Sequence, residues 1–242
     1  MGMYKENPKT KGSGIICCIP QTGLCPNNCL DCFFQSGRSY LEPLDKNLPN
    51  MPLLSDTVDM VVRVNDGNDS FNQILTVIDK TSNYRNKFYN TSIPVDLELY
   101  PAPVVLTINP GNCTDTTWHR VDPIPTNLMF VRFRANMWNV ELADSAIEYY
   151  THHDIPVVLT WMAYHEKESI GVEYYRDYEY RSRTKNAYHA IRHSAWKKAM
   201  DRYAMNKHVY SCGREGVASG CRYCGNCLRE YFNTMERIKS EA

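Results

Sequence analysis

Short apolar runs rich in β-branched residues alternate along this chain with longer stretches of helical period. The runs at 14–20, 58–65, 102–110, 128–135 and 155–163 predict strands, and 207–212 offers a sixth. Between them, 69–83 places Phe71, Ile74, Leu75 and Ile78 on one helical face, with Asp69 or Ser70 as N-cap; 140–153 and 184–205 also read as helices. Strand and helix in turn imply parallel strands joined by right-handed crossovers. Strands that are almost wholly apolar imply a sheet covered by helices on one side and filled on the other. The expectation is an α/β fold, a partial (β/α)6 TIM-like barrel, with its chemistry at the C-terminal ends of the strands.

Composition narrows this little. A chain of 242 residues, 43% hydrophobic, is long enough to bury one large core with or without a small appendage. Lys plus Arg and Asp plus Glu both total 27, so no net field draws the chain to nucleic acid or an anionic membrane, and any such partner must meet a local patch. No apolar run approaches the roughly 20 residues of a membrane helix. Residues 1–14 carry no apolar signal core, so the expected location is the cytoplasm.

Cysteine changes the picture. Of ten cysteines, Cys17, Cys18, Cys25, Cys29 and Cys32 lie together, Cys212, Cys221, Cys224 and Cys227 form a second group, and Cys113 stands alone. Gaps of two and three residues return a thiolate to one metal or cluster, whereas the rival, a disulfide framework, suits short secreted chains. Cys25, Cys29 and Cys32 are spaced CxxxCxxC on the loop leaving the first strand, and the polar segment Asn65, Asp66, Gly67, Asn68, Asp69 and Ser70 leaves the second. Three thiolates can hold three irons of a cubane and leave the fourth open for chemistry; a zinc knuckle is the other use of such spacing.

These three cysteines resemble the signature of the radical S-adenosylmethionine (radical SAM) superfamily. The resemblance implies a 4Fe-4S cluster whose open iron chelates the amino and carboxylate groups of SAM. One electron then splits the sulfonium to methionine and a 5′-deoxyadenosyl radical, which abstracts hydrogen from a substrate. "VVRVNDGNDS" is similar to the family's SAM-amino motif, with Asn65, Asp66, Asn68 and Asp69 as acceptors and Gly67 allowing close backbone approach. Its plain alternative is a turn feeding a helix cap. Asp31 stands where many members carry an aromatic residue before the third cysteine; Phe33 and Phe34 can take that stacking role or belong to the core. Arg132 and Arg134 point to one face of their strand, either inward toward a SAM carboxylate or anionic substrate, or outward to salt bridges. An electron donor such as flavodoxin or ferredoxin follows from the same resemblance. So does a peptide, a nucleotide-like molecule or a partner protein receiving a glycyl radical as substrate.

The second group, one cysteine, eight residues and then CxxCxxC, is closed: four thiolates fill a zinc shell or all corners of a second 4Fe-4S cluster. It suggests a radical SAM core over 1–205 and a C-terminal cysteine-rich extension over 206–242, folded by its metal. A zinc-stabilised binding module and a plain electron carrier remain the alternatives from other classes. Weaker signals are Cys17 and Cys18, which must face opposite sides of the first strand, and His189 with His193, four apart on the expected helix. Residues 176–207 hold nine Lys and Arg against three Asp and Glu, interleaved with Tyr178, Tyr180, Tyr188 and Trp196, a pattern of either nucleic-acid contact or the outside of a barrel helix.

Overall fold

A computed structural model describes residues 3–110, 120–182, 187–213 and 221–241; Cys113 lies outside the described residues. Seven parallel strands form one sheet in the order β1 (Ile15–Cys18), β2 (Val61–Val64), β3 (Lys87–Thr91), β4 (Val104–Ile108), β5 (Leu128–Ala135), β6 (Val157–Trp161) and β9 (Val209–Ser211). The sheet curls into a half-barrel, compatible with a partial TIM-like barrel. A two-stranded antiparallel hairpin, β7 (Tyr178–Arg181) with β8 (Tyr188–Ile191), is inserted after β6.

The alternation of side chains sorts the sheet into two faces. Ile16, Cys18, Val62, Val64, Tyr89, Leu106, Val131, Phe133 and Leu159 turn outward, where α2 (Ile74–Thr81) supplies Val77 and α3 (Val140–His152) supplies Ala143, Ala146, Ile147 and Tyr150. Val61, Phe88, Val105, Phe130 and Val158 turn inward and pack against Tyr231 of α6 (Asn226–Glu241), with Leu228 and Met235 beside it. A bulge where Val104 faces Leu128 and Val105 faces Phe130 lets both Met129 and Phe130 reach that inner cluster. The C-terminal helix therefore fills the hollow of the half-barrel.

Several expectations need correction. The parallel sheet has seven strands, not six, because Lys87–Thr91 joins it between β2 and β4. Its KFYNT sequence mixes aromatic and polar residues, yet Phe88, Tyr89, Asn90 and Thr91 are all buried, so polar inner positions hid the strand. The stretch at 184–205 is not one helix: β8 and then α4 (His193–Asp201) occupy it, so His189 pairs in a strand and does not share a helical face with His193. Helix α2 begins at Ile74, after Gln73 in a left-handed conformation, and Leu75 points to solvent while Val77 and Thr81 are buried. Much of the basic stretch is neutralised locally, by Arg181 and Arg192 on Glu179, Lys197 on Asp201 and Arg202 on Asp144. Among the described residues no helix is long and apolar enough to cross a membrane.

Phe88, wholly buried against Tyr231 at a centroid separation of 6.5 Å, is a test of the inner core. Phe88→Ala should cost about 3–5 kcal/mol, read by urea unfolding; a loss no larger than that of an exposed substitution such as Leu75→Ala would show that α6 does not seat there.

Candidate functional site

The loop after β1 and the turn after β2 meet at one end of the sheet. Residues 25–35 are held largely by backbone and amide contacts. The Cys32 N–H donates to Cys29 O at 3.2 Å and Gln35 Nε2 to Cys25 O at 2.7 Å. Arg134, at the end of β5, reaches across the mouth and donates to the carbonyls of Leu30 (3.0 Å) and Asp31 (3.1 Å), with Nε on Met162 Sδ at 3.1 Å. Both arginines expected to share a face do so. Arg134 clamps the cysteine loop, while Arg132 lies deeper and donates to Asn90 Oδ1 at 3.0 Å.

The thiols of Cys25, Cys29 and Cys32 are half-buried on one loop, and Cys29 and Cys32 act electrostatically on Cys25. Burial pushes the Cys25 thiol up to about 11; the Asn27 N–H opposes this, and Asp69, Cys29 and Cys32 add to it. Asn72 Nδ2 approaches Cys25 Sγ at 3.7 Å. Burial weakens the Arg134 charge, and the Cys29 and Cys32 thiols restore part of it.

The turn after β2 divides into used and unused acceptors. Asp69 is buried and accepts from Phe71 N–H, Thr91 Oγ1, Ser92 N–H, Ser92 Oγ and Asn27 Nδ2, so it ties β3 and the cysteine loop to this turn. Asn68 is also committed, to Gly23 O and the Asp69 N–H. Asn65, left-handed at φ 61°, donates to Ser70 Oγ at 3.0 Å, but its buried Oδ1 has no partner among the described residues. Asp66 Oδ2 accepts from Asn7 and Tyr40, and its buried Oδ1 has no partner among them; Gln21 donates twice, to Asp69 O and Asn72 O, and its Oε1 is likewise without a donor among the described residues. Orphaned acceptors of this kind cost free energy unless a donor arrives, which is the property an ammonium-binding turn needs. Gln21 was missed in the sequence, although it directly follows the first strand, where such residues belong.

Gly67 allows a close approach, but by the chain itself: a Cβ there would lie 2.1 Å from Phe34 Cδ2. Phe34 is core. Phe33 is 43% exposed, stacks on His165 at 5.8 Å and lies 5.2 Å from Lys9 Nζ, so its ring already has partners in the chain. Between the cysteine loop and the turn lies a cavity of about 260 Å³, lined by Gln21, Gly23, Leu24, Pro26, Asn68, Asn72 and Gln73. This falls below the ~300–1,000 Å³ of sites that enclose a small molecule, so it takes part of a ligand.

The second cysteine group lies against the inner face. Cys18 faces the outer core and Cys17 the inner one, beside Arg63 and Asp66, as opposite strand positions require. Burial disfavours the Arg63 charge, yet Cys17, Asp66, Cys227 and Cys221 hold its pKa above the usual value. Burial and the neighbouring Arg63 lower that of Arg132, while the Cys227 and Cys212 thiols oppose the fall, Cys227 through a hydrogen bond. A hydrogen bond from Cys212 pulls Cys224 down to about 5 despite burial, aided by the N–H groups of Gly213 and Asn226. Arg63 was legible as the one charge in VVRVN but was not singled out. Among the described residues, no three or more His, Cys, Asp or Glu side chains stand at metal-ligand spacing. What fits a metal is the chemistry of the donor set, soft thiols beside half-buried cations.

No protein-family model matches this chain, and neither a curated protein nor a solved structure is significantly similar to it.

Two substitutions probe the mouth. Gly67→Ala should push Phe34 aside and destabilise the protein by about 1–3 kcal/mol; a melting curve matching the wild type would contradict the packing. Arg134→Gln, which removes the clamp on Leu30 and Asp31, should make the 24–35 loop several times more susceptible to limited proteolysis, and equal cleavage rates would count against it.

Proposed function

We propose that this protein is a radical SAM enzyme, with Cys25, Cys29 and Cys32 holding a 4Fe-4S cluster and the turn after β2 receiving the SAM amino group. The observation that carries the reading is a juxtaposition. A three-thiol loop at the C-terminal end of β1 meets a turn at the end of β2, and the buried acceptors there, Asn65 Oδ1 and Asp66 Oδ1 of the turn and Gln21 Oε1 of the loop, have no donor among the described residues. When bound, the cluster would supply the electron that cleaves the SAM sulfonium and so generates a 5′-deoxyadenosyl radical for hydrogen abstraction.

The chain's own residues set the conditions for that step. Arg134 fixes the loop backbone and places its positive charge beside Cys29 and Cys32. Asp69 holds the turn against β3 and against Asn27 of the loop, so the two halves of the site keep one spacing. Asn65, Asp66 and Gln21 orient an ammonium by accepting from it, which leaves Asn68 and Asp69 as scaffold. Phe33 contacts an adenine only by exchanging its stacking on His165. A carboxylate would meet its countercharge at Arg134, the inner-face arginine nearest the loop. The substrate is a peptide, a nucleotide-like molecule or a partner protein, and the electron comes from a flavodoxin- or ferredoxin-type donor in the cytoplasm.

Anaerobically purified protein should be brown, hold about eight irons per chain if both cysteine groups carry four-iron clusters, and release 5′-deoxyadenosine from SAM when reduced. Cys29→Ala should retain about half the iron and release none. Colourless protein containing two zincs would replace this reading with the zinc-stabilised binding module; brown protein that leaves SAM intact would leave an electron carrier.

A further inference from the structure

A parallel sheet that curls but does not close leaves two edge strands, here β1 and β9. The described parts of the second cysteine group, 209–213 and 221–228, touch elements at both edges. On the β9 side, the Cys212 N–H donates to Leu159 O at 2.7 Å, prolonging the ladder with β6, and Asn226 Nδ2 donates to Ser211 O at 3.0 Å. On the β1 side, Leu228 lies so close to Gly14 that a Cβ there would be 3.2 Å from its Cδ2; Gly14 holds φ at +76° and is the residue before the strand. The Cys221 N–H donates to Lys9 O at 2.7 Å in the N-terminal arm, whose buried Thr10 contacts Cys17.

The thiols are distributed in the same way. Cys212 closes the β9 side, while Cys221, Cys224 and Cys227 belong to the turn α5 (Cys221–Cys224) and the start of α6, and Gly213 N–H already points at Cys224 Sγ at 3.5 Å. Beneath them lie two guanidinium groups. Arg132 has neutral side-chain partners in Asn90 and Thr107, and Arg63 faces Cys221 and Cys227 as well as Asp66. Four thiolates around a divalent metal or an oxidised four-iron core carry a net charge of about −2. Two half-buried cations are the complement to that charge.

We propose that a metal centre on Cys212, Cys221, Cys224 and Cys227 is the latch of the half-barrel: it joins β9 to the segment seated on β1 and the N-terminal arm, with Arg63 and Arg132 as its counter-ions. The inference rests on the second cysteine group binding metal, as in the reading above, but not on SAM chemistry. Through Lys9 over Phe33 and Asn7 on Asp66, the arm links this latch to the mouth, so loss of the second metal loosens the first site.

The test compares full-length wild type with Cys224→Ser and Arg132→Gln, by metal analysis and hydrogen–deuterium exchange. Cys224→Ser should lose the second metal, and residues 8–13 and 209–213 should then exchange about tenfold faster. Residues 4–6, tied to Asn50 through Lys5, should be unchanged and serve as the internal control. Arg132→Gln keeps every thiol and should yield the second metal to a chelator at roughly 10–100-fold lower concentration. Metal loss without faster exchange at 8–13 overturns the latch while leaving the metal site standing. Wild type that binds no metal there, or that shows a Cys212–Cys224 disulfide by mass spectrometry after anaerobic isolation, overturns both. An unaltered cluster spectrum on adding SAM, with the exchange pattern as expected, removes the SAM reading and supports the latch alone.

Discussion

Everything in this structure depends on covering the hollow face of a sheet that stops short of closure. Seven strands bend enough to make an inside, and that inside is too polar to collapse on itself: Arg63, Asn90, Thr107, Arg132 and Arg134 alternate with the apolar Val61, Phe88, Val105, Phe130 and Val158. A closed barrel would fill its interior with layered side chains from all strands. Here one amphipathic helix arriving from the C-terminus does so, laying Tyr231, Leu228 and Met235 on the apolar layer. The polar layer is left above it, facing the thiols.

That arrangement makes the two cysteine groups parts of one interior. The first sits at the strand ends, its loop held by Arg134 from β5; the second sits over Arg63 and Arg132. Asp66 stands between them, accepting from the N-terminal arm on one side and lying near Arg63 on the other. The guanidinium groups are half-buried, and the thiols beside them support their charge: Cys221 and Cys227 at Arg63, Cys212 and Cys227 at Arg132. The inner arginines and the cysteines therefore explain one another better than either does alone.

The turn after β2 shows how a ligand motif and a structural motif can share residues. Asp69 accepts five hydrogen bonds, and a side chain so engaged has nothing left for a ligand. Its neighbours Asn65 and Asp66 keep one buried oxygen each without a donor among the described residues. The same six residues thus build the turn with one subset and leave acceptors of another subset unpaired there.

The apolar runs and cysteine spacings were enough to reveal an α/β chain with parallel strands and two thiol groups, because hydrophobic period and short-range spacing are local properties. The same local signals missed KFYNT, whose buried Asn90 is satisfied by Val64 O on β2 and Arg132 on β5, and merged β8 with α4, since the four residues YHAI are too few to show a strand period. Which acceptors stay free, where Phe34 fills the space above Gly67 and how α6 lines the hollow were decided only by tertiary packing. Each depends on groups tens to more than a hundred residues apart being brought to a few ångströms, and no local pattern encodes a distance of that kind.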